Sequence, residues 1–229
     1  MHRFYWPPEV PPPSADGTII TGELASHLAA VRLEAGEVVE CFNESGYRCA
    51  CRIDRNARRF TVTPDPSTEL PAPPVPRKKL TVWIPAIEPA RFDWAAEKLT
   101  ELGAERIGVF RADRTNAHPR SAERIRRVMI RAVEQSGRVT IPVWLEAKTL
   151  DDILDMHPII LEIPGRGNSV PLSGLILDSE LSLMVGPEGG WSPGELERFR
   201  RTGYQLAHLV PSTLRAETAA VSAAAVILS

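Results

Sequence analysis

Residues 184–196 read MVGPEGGWSPGEL, a glycine-lined turn placed directly before a strong helix start. The stretch follows an apolar run, residues 181–185, that predicts a buried strand. Ser192-Pro193-Gly194-Glu195 then forms a capping-box pattern, with serine at the N-cap, proline at the first helical position and glutamate at N3. The stretch therefore predicts a strand, a turn and a helix, as in an α/β domain, where ligands bind beside the loops that follow strands.

The turn contains three glycines, Gly186, Gly189 and Gly190, around Glu188. One interpretation is a tight strand-to-helix connection without a ligand; the other is a loop whose exposed backbone binds one. A plain connection does not require three glycines. The loop lacks the lysine of a phosphate-binding loop, and Glu188 would repel an anion. The turn therefore predicts a site for a neutral or cationic ligand.

A second loop follows the next predicted strand, residues 205–209, and leads into an alanine-rich helix. Glu217 and Thr218 suit the first turn of that helix, where acid and hydroxyl groups accept hydrogen bonds from free amide groups. Arg215 has no such local role, so we expect it to be available to a substrate or to Glu188.

A proline-rich segment, residues 64–76 (PDPSTELPAPPVP), divides the chain. Its six prolines exclude a helix or a central strand and predict a semi-rigid linker. Before the linker, short alternating runs predict a small antiparallel barrel or sheet. These runs are residues 37–42, 47–53 and 59–63, with breaks predicted at residues 43–46 and 54–56.

After the linker, apolar runs alternate with helical periods, which is the pattern of an α/β domain. The predicted strands are residues 80–87, 106–110, 158–163, 181–185 and 205–209. The predicted helices are residues 92–102, 122–136, 193–201 and a last one that begins near Glu217.

The middle of the chain is basic although the whole chain has a net charge of -2. Residues 77–148 carry 15 Lys/Arg against 9 Asp/Glu, and residues 111–138 contain eight arginines and three acids. The planar guanidinium group matches phosphate geometry. Two interpretations stay open, a nucleic-acid surface and a solvated helix face.

Composition excludes several other classes of protein. The N-terminus has no apolar core of a secretory signal, and no apolar run is long enough for a membrane span. Three cysteines, Cys41, Cys49 and Cys51, fit buried thiols on one face of a strand in a reducing cytoplasm better than disulfides or a metal site. We expect a soluble cytoplasmic protein without a metal.

Four stretches resemble the RsmE group of SPOUT methyltransferases. They are Arg3-Phe4-Tyr5, EKLTELG at residues 97–103, EQSGR at residues 134–138 with Pro142, and GPEGG at residues 186–190 paired with LRAETA at residues 214–219. The last pair is the most specific. The resemblance implies a PUA-like RNA-binding β-barrel domain over residues 1–70 and a SPOUT α/β domain with a trefoil knot over residues 77–229.

The same resemblance implies an enzyme that transfers a methyl group from S-adenosylmethionine to N3 of a specific uridine in 16S rRNA. Family members are homodimers with the site near the interface, and the substrate would be the rRNA or the small ribosomal subunit. Three loops would hold the cofactor. The cofactor-binding residues would be Leu161, Val185, Gly186, Pro187, Glu188, Gly189, Gly190, Leu209, Pro211, Leu214, Arg215, Glu217 and Thr218.

The resemblance and uracil chemistry together suggest catalytic roles. Uracil N3 attacks well only as its proton leaves, so a base or an oxyanion stabiliser is needed. Arg215 would stabilise charge on the uracil oxygens, and Glu188 or Glu217 would accept the proton, although either acid could be structural. Phosphates of the RNA would be held by Arg3, Arg111, Arg114, Arg120, Arg124, Arg127, Arg131 and Arg138.

Several positions depart from the family pattern. Glu88-Pro89-Ala90 replaces a Lys-Gly turn, Val210 replaces a glycine, and Ser212 replaces an arginine. The first cofactor loop, residues 162–168, lacks the histidine often seen there. These departures motivate a rival hypothesis, a non-catalytic RNA-binding or ribosome-assembly protein that keeps the fold. A small-molecule enzyme that uses the cleft without RNA is the third.

Overall fold

The computed structural model describes residues 1–31, 33–56, 59–164 and 169–229. The chain forms two compact units. One comprises Met1–Pro74 with Val133–Thr140, and the other comprises Val75–Ala132 with Ile141–Ser229.

The first unit is built on a five-stranded sheet of described residues with strand order β1-β3-β4-β5-β2. β1 pairs with β3 in parallel, and the other pairs are antiparallel. One face carries alternate apolar residues that pack with helix α1, as expected for a sheet with one buried side. The elements are β1 (Arg3–Tyr5), β2 (Thr18–Ile20), α1 (Gly22–Ala30), β3 (Val38–Phe42), β4 (Arg48–Asn56) and β5 (Arg59–Pro64).

The three strands predicted before the linker are present in this unit, and the predicted turn at residues 43–46 is correct. The break predicted at residues 54–56 is wrong. β4 continues to Asn56, which is in register with Arg59 of β5. Polar residues occur there because this end of the strand is exposed, so alternation is lost without loss of pairing.

The second unit is an α/β domain with a parallel sheet of order β10-β12-β9-β11-β6-β7-β8 among the described residues. Its first elements are β6 (Lys79–Pro85), α2 (Pro89–Leu102), β7 (Arg106–Phe110) and α3 (Ala122–Ser136), of which residues up to Ala132 belong to this unit. Next come β8 (Val143–Glu146), α4 (Asp151–Leu154), β9 (Ile159–Leu161) and β10 (Val170–Pro171). A 3₁₀ turn (Leu172–Gly174), β11 (Glu180–Val185), α5 (Pro193–Arg201), β12 (Leu206–His208) and α6 (Ala216–Leu228) complete it.

Helices cover both faces of this sheet, so its central strands are largely apolar, with Thr81 and Ser182 as buried polar exceptions. Every residue of β6 after Lys79 is buried, as is typical of a parallel strand inside an α/β domain. α2 and α6 pack together on one face through small residues such as Ala96 and Ala220. The opposite face is an aromatic cluster that includes Trp83, Phe110 and Trp191.

The helix ends in this unit follow local chemistry. Glu88 caps α2 by accepting hydrogen bonds from the amides of Ala90 (3.0 Å) and Arg91 (3.1 Å), and these bonds lower the pKa of its carboxyl group. Gly103 ends α2 at φ 109°, a left-handed conformation that glycine adopts readily. The predicted capping box of α5 is confirmed, with the Ser192 hydroxyl accepting from the Glu195 amide.

Candidate active site

A cleft lies at the carboxyl ends of β9, β11 and β12. These strands are neighbours in the sheet and run parallel, so the loops that follow them meet at one edge. The cleft is open to solvent and holds about 590 Å³ of empty space including its mouth. Its walls are residues 161–164, 185–188, 190–191, 209–210, 212–214, 216 and 219.

The glycine turn forms one wall of the cleft. Each of its three glycines is favoured for a different structural reason. Gly190 has φ 69°, and its amide donates to the Pro187 carbonyl at 2.8 Å to close the turn. A Cβ on Gly186 would lie 3.0 Å from Nε1 of Trp191. A Cβ on Gly189 would lie 3.2 Å from Cβ of Arg114. Side chains at Gly186 and Gly189 would therefore crowd Trp191 and Arg114, and residues 186–188 and 190 of the turn line the cleft.

Trp191 joins the first and second loops. Its indole Nε1 donates to the Leu161 carbonyl at 2.9 Å, and its ring stacks on Phe110 with 6.0 Å between centroids. The side chain is 3% exposed, so the bond is made away from water and is correspondingly strong. Sequence reasoning did not assign Trp191 a role, although it directly follows the glycine turn.

Residues that follow β7 support the glycine turn from the other side. Arg114 donates to the Gly189 carbonyl at 2.9 Å. The Ser192 hydroxyl donates to Asp113 at 2.6 Å, and the Asp113 amide donates to Glu195 at 3.0 Å. These bonds fix the loop against a second segment and give Arg114 a structural contact in addition to its predicted phosphate contact.

The lining chemistry suits a neutral or cationic ligand. Among the described residues of the wall there is no lysine, arginine or histidine, whereas Glu162 and Glu188 are both present. An anion would therefore meet no compensating cation there. Residues 165–168 of the first predicted cofactor loop lie outside the described residues.

Eight of the predicted cofactor residues lie in the wall and five do not. Those in the wall are Leu161, Val185, Gly186, Pro187, Glu188, Gly190, Leu209 and Leu214. Those outside it are Gly189, Pro211, Arg215, Glu217 and Thr218. Val210 and Ser212, two of the departures from the family pattern, also line it.

A charged cluster adjoins the cleft. Arg91 of α2 donates from Nη1 to Glu188 at 2.5 Å, and its Nε lies 3.8 Å from Glu217. Glu217 is only 6% exposed, and its Oε2 has no hydrogen-bond partner among the described residues. Glu188 is thus paired with Arg91, and sequence reasoning did not identify Arg91 at all.

Arg215 immediately precedes α6 and is exposed. Its guanidinium group makes no hydrogen bond or ion pair with the part of the chain that the structure describes, and Glu188, one of its two expected partners, pairs with Arg91 instead. Glu217 lies in the first turn of α6, as predicted.

The predicted phosphate-binding arginines divide into groups. Arg3 donates to Glu40 (3.0 Å) and to the carbonyls of Val133 (2.8 Å) and Arg138 (2.7 Å), and Arg138 itself is 5% exposed. Arg120 and Arg124 both donate to Asp93. Arg127 pairs with Glu123 at 3.1 Å. Arg111 and Arg131 are exposed and have no ion pair within the described residues.

The remaining composition-based expectations concern thiols, metals and membranes. The three cysteines are free; Cys41 and Cys51 are buried, and Cys49 is partly exposed. No group of His, Cys, Asp and Glu in the described ranges fits a metal ion. No described helix has the length and apolarity to cross a membrane.

A family model described as an RNA methyltransferase domain matches residues 74–228. The chain belongs to this family. It is also 26% identical to the Ribosomal RNA small subunit methyltransferase E of Bacillus subtilis (strain 168), over 91% of this chain and 88% of the relative. The protein of the same name from Aquifex aeolicus (strain VF5) is 28% identical over 89% of this chain and 90% of its own.

Among solved structures, the chain is similar to a Ribosomal RNA small subunit methyltransferase E from Neisseria gonorrhoeae bound to S-adenosyl methionine. The TM-score is 0.79 at 23% identity, with 99% of this chain and 96% of the other covered. This likeness shows a shared α/β fold. The resemblance to RsmE enzymes and the prediction of an RNA methyltransferase are confirmed.

Proposed function

We propose that this protein transfers the methyl group of S-adenosylmethionine to N3 of one specific uridine in 16S rRNA. The observation that carries the proposal is the cleft, where loops after three adjacent parallel strands meet without a cationic side chain in the described lining. Relatives named Ribosomal RNA small subunit methyltransferase E align over about nine-tenths of the chain, which supports an rRNA substrate.

The residues of the cleft fit this cofactor. When bound, S-adenosylmethionine supplies an electrophilic methyl group on a sulfonium cation, which matches a described lining that contains carboxylates and no cationic side chain. Residues 185–188 and 190 line the cleft, and the glycines among them have no side chain to keep the adenine and methionine groups away from the backbone. Leu161, Leu209 and Leu214 provide apolar contact for the adenosine.

Residues beside the cleft would assist the chemistry. Uracil N3 becomes a good nucleophile as its proton leaves, and negative charge then grows on the two carbonyl oxygens. Arg215, which is exposed and has no ion pair within the described residues, would stabilise that charge. Glu217 would accept the proton, because Glu188 is already held by Arg91 whereas Oε2 of Glu217 has no partner in the described chain.

The wider architecture belongs to the same proposal. Residues 1–70 would form the PUA-like RNA-binding barrel, and residues 77–229 the SPOUT domain with its trefoil knot. The five-stranded sheet of the first unit supports the former, and the return of α6 onto α2 and β6 supports the latter. The protein would work as a homodimer in the cytoplasm, with Arg111 and Arg131 on rRNA phosphates.

Two measurements test the proposal. Calorimetry with S-adenosylmethionine should show binding, and its absence at millimolar concentration would contradict the cofactor assignment. Mass spectrometry of small-subunit rRNA from cells that lack the gene should show the loss of one N3-methyluridine. An unchanged set of modified nucleotides would contradict the substrate assignment.

A further inference from the structure

A second pocket adjoins the cleft. Its described lining consists of Ala90, Arg91, Trp94, Glu217 and Thr218, and none of these residues lines the cleft itself. The two pockets meet at the ion pair between Arg91, which lines the second pocket, and Glu188, which lines the cleft. A group bound in the second pocket would therefore lie next to a group bound in the first.

Trp94 gives this pocket an aromatic surface. The residue is 44% exposed, whereas α2 buries Phe92, Ala95 and Leu99 on its other face. Its ring stacks on no other aromatic ring in the described residues. An exposed tryptophan beside a pocket offers a flat surface on which a nucleic-acid base can stack.

Glu217 gives the same pocket a hydrogen-bond acceptor. Its side chain is 8% exposed, and its Oε2 has no hydrogen-bond partner in the described chain. Buried polar atoms are almost always bonded, so an orphan carboxylate oxygen at a pocket points to a donor supplied from outside. Arg91, at 3.8 Å, balances the charge and still has Nη2 for a carbonyl oxygen.

We propose that this second pocket receives the target base of the RNA, stacked on Trp94 with its N3–H donated to Oε2 of Glu217. The proposal rests on the proposed function and adds the binding site of the base. It requires a base flipped out of its strand, as enzymes that modify bases generally do. Uracil fits because its N3–H lies between two carbonyl groups, whereas cytosine presents an acceptor at N3 to the carboxylate.

The principal test is methyl transfer to a 16S rRNA fragment by Trp94→Leu and Trp94→Phe. Base stacking on an aromatic residue is worth enough to raise the KM for RNA about tenfold when the ring is lost. We expect that rise in Trp94→Leu with S-adenosylmethionine affinity unchanged, and near wild-type kinetics in Trp94→Phe. Leu102→Ala, an exposed apolar position on the same helix, is the matched control and should behave as wild type.

A second readout needs no turnover. Uridine monophosphate should quench part of the tryptophan emission of the wild type and none of that of Trp94→Phe. Of the five tryptophans, Trp94 is the one in the described lining of this pocket. N3-methyluridine monophosphate and cytidine monophosphate should bind more weakly, since neither donates from N3. Equal binding of all three nucleotides, or quenching in Trp94→Phe equal to that in the wild type, would contradict the proposal that this pocket binds the target base.

The outcomes separate the two proposals. If the wild type methylates the fragment and Trp94→Leu matches it, only the base pocket is wrong. If the wild type neither binds S-adenosylmethionine nor methylates RNA, the proposed function fails and the base pocket fails with it. Sedimentation of Trp94→Leu supplies one more outcome, because loss of a dimer would show that Trp94 contacts a second copy of the chain instead of a base.

Discussion

Glu40 in the first unit and Glu217 in the second are both buried glutamates with arginine neighbours, yet their surroundings differ. Glu40 is 2% exposed and accepts hydrogen bonds from Arg3 (3.0 and 3.2 Å) and Arg48 (2.7 Å). Glu217 is 6% exposed, has Arg91 at 3.8 Å and keeps Oε2 without a partner in the described residues.

Under the proposed function, Glu40 is a structural charge and Glu217 a chemical one. A buried carboxylate is tolerated when it is paired and fully bonded, and Glu40 meets both conditions. Glu217 meets them only in part, because Arg91 lies 3.8 Å away and Oε2 has no partner among the described residues. Buried titratable groups with incomplete pairing cluster at functional sites, because a fully paired group has no hydrogen-bonding capacity left for a substrate.

Glu217→Gln should give the largest effect. The amide keeps the shape of the side chain and cannot accept a proton, so we expect single-turnover methyl transfer to fall about 1,000-fold, within the range for loss of a general base. Chemical denaturation should show little loss of stability. A transfer rate close to that of the wild type would show that Glu217 is a structural acid like Glu40.

Glu40→Gln should give the converse, a loss of about 3 kcal/mol in the free energy of unfolding, because two partly buried guanidinium groups lose their counter-charge. Burial raises the pKa of Glu40, but hydrogen bonds from Arg3 and Arg48 lower it to below its ordinary value overall. The stabilisation is therefore present above the unfolded-state pKa and is lost as pH falls through the folded-state pKa.

Urea denaturation at neutral and acid pH tests this prediction. The gap between wild type and Glu40→Gln should narrow as the pH is lowered. Glu9→Gln, at an exposed position of the same unit, should leave the midpoint unchanged. A gap that stays constant with pH would show that the pairing of Glu40 with its arginines does not carry the stability.

Arg215→Ala should lower turnover about 100-fold, as removal of one oxyanion stabiliser does in other enzymes. Cofactor affinity measured by calorimetry should change far less, because the side chain lies outside the cleft wall. Arg201→Ala, at the end of α5, is the control for loss of an exposed arginine. Wild-type turnover in Arg215→Ala would remove this residue from the mechanism.

The smallest effect is expected from Arg111→Gln and Arg131→Gln. Each should weaken RNA binding and lower the slope of log affinity against log salt by about one, since each removes one phosphate contact. Arg200→Gln on α5 should leave the slope unchanged. If both variants bind RNA with the wild-type slope, the arginine-rich segment, residues 111–138, is a solvated face and not an RNA-binding surface.

Local patterns predicted much of the second unit. The helix over Ala122–Ser136 is found with the predicted bounds, because Ile125, Met129 and Val133 form one apolar stripe that is buried in the structure. Two short elements are not predicted by these patterns: the edge strand Val143–Glu146 of the second unit and the helix Gly22–Ala30 of the first. Neither is long or regular enough for periodicity to identify it.

The candidate site was predictable where it depends on the local chain and not where distant residues meet. The glycine turn and the position of Arg215 follow from spacing alone. Arg91 contacts Glu188 from a position 97 residues away, and no local pattern reports such a pair. Likewise Arg3 and Arg138 look like phosphate ligands in the sequence, whereas the fold places their guanidinium groups against internal partners.

The pairing of β6 with β11 has a consequence for how the molecule is made. It joins Leu80 to Leu181, so the centre of the sheet closes only across a loop of about a hundred residues, whereas β6 with β7 and β9 with β11 pair over about 25 residues. Folding should accordingly be slow, with the apolar edge of β6 exposed in early intermediates. Refolding yield should fall as protein concentration rises, and the cleft, which depends on β11, should be among the last features to form.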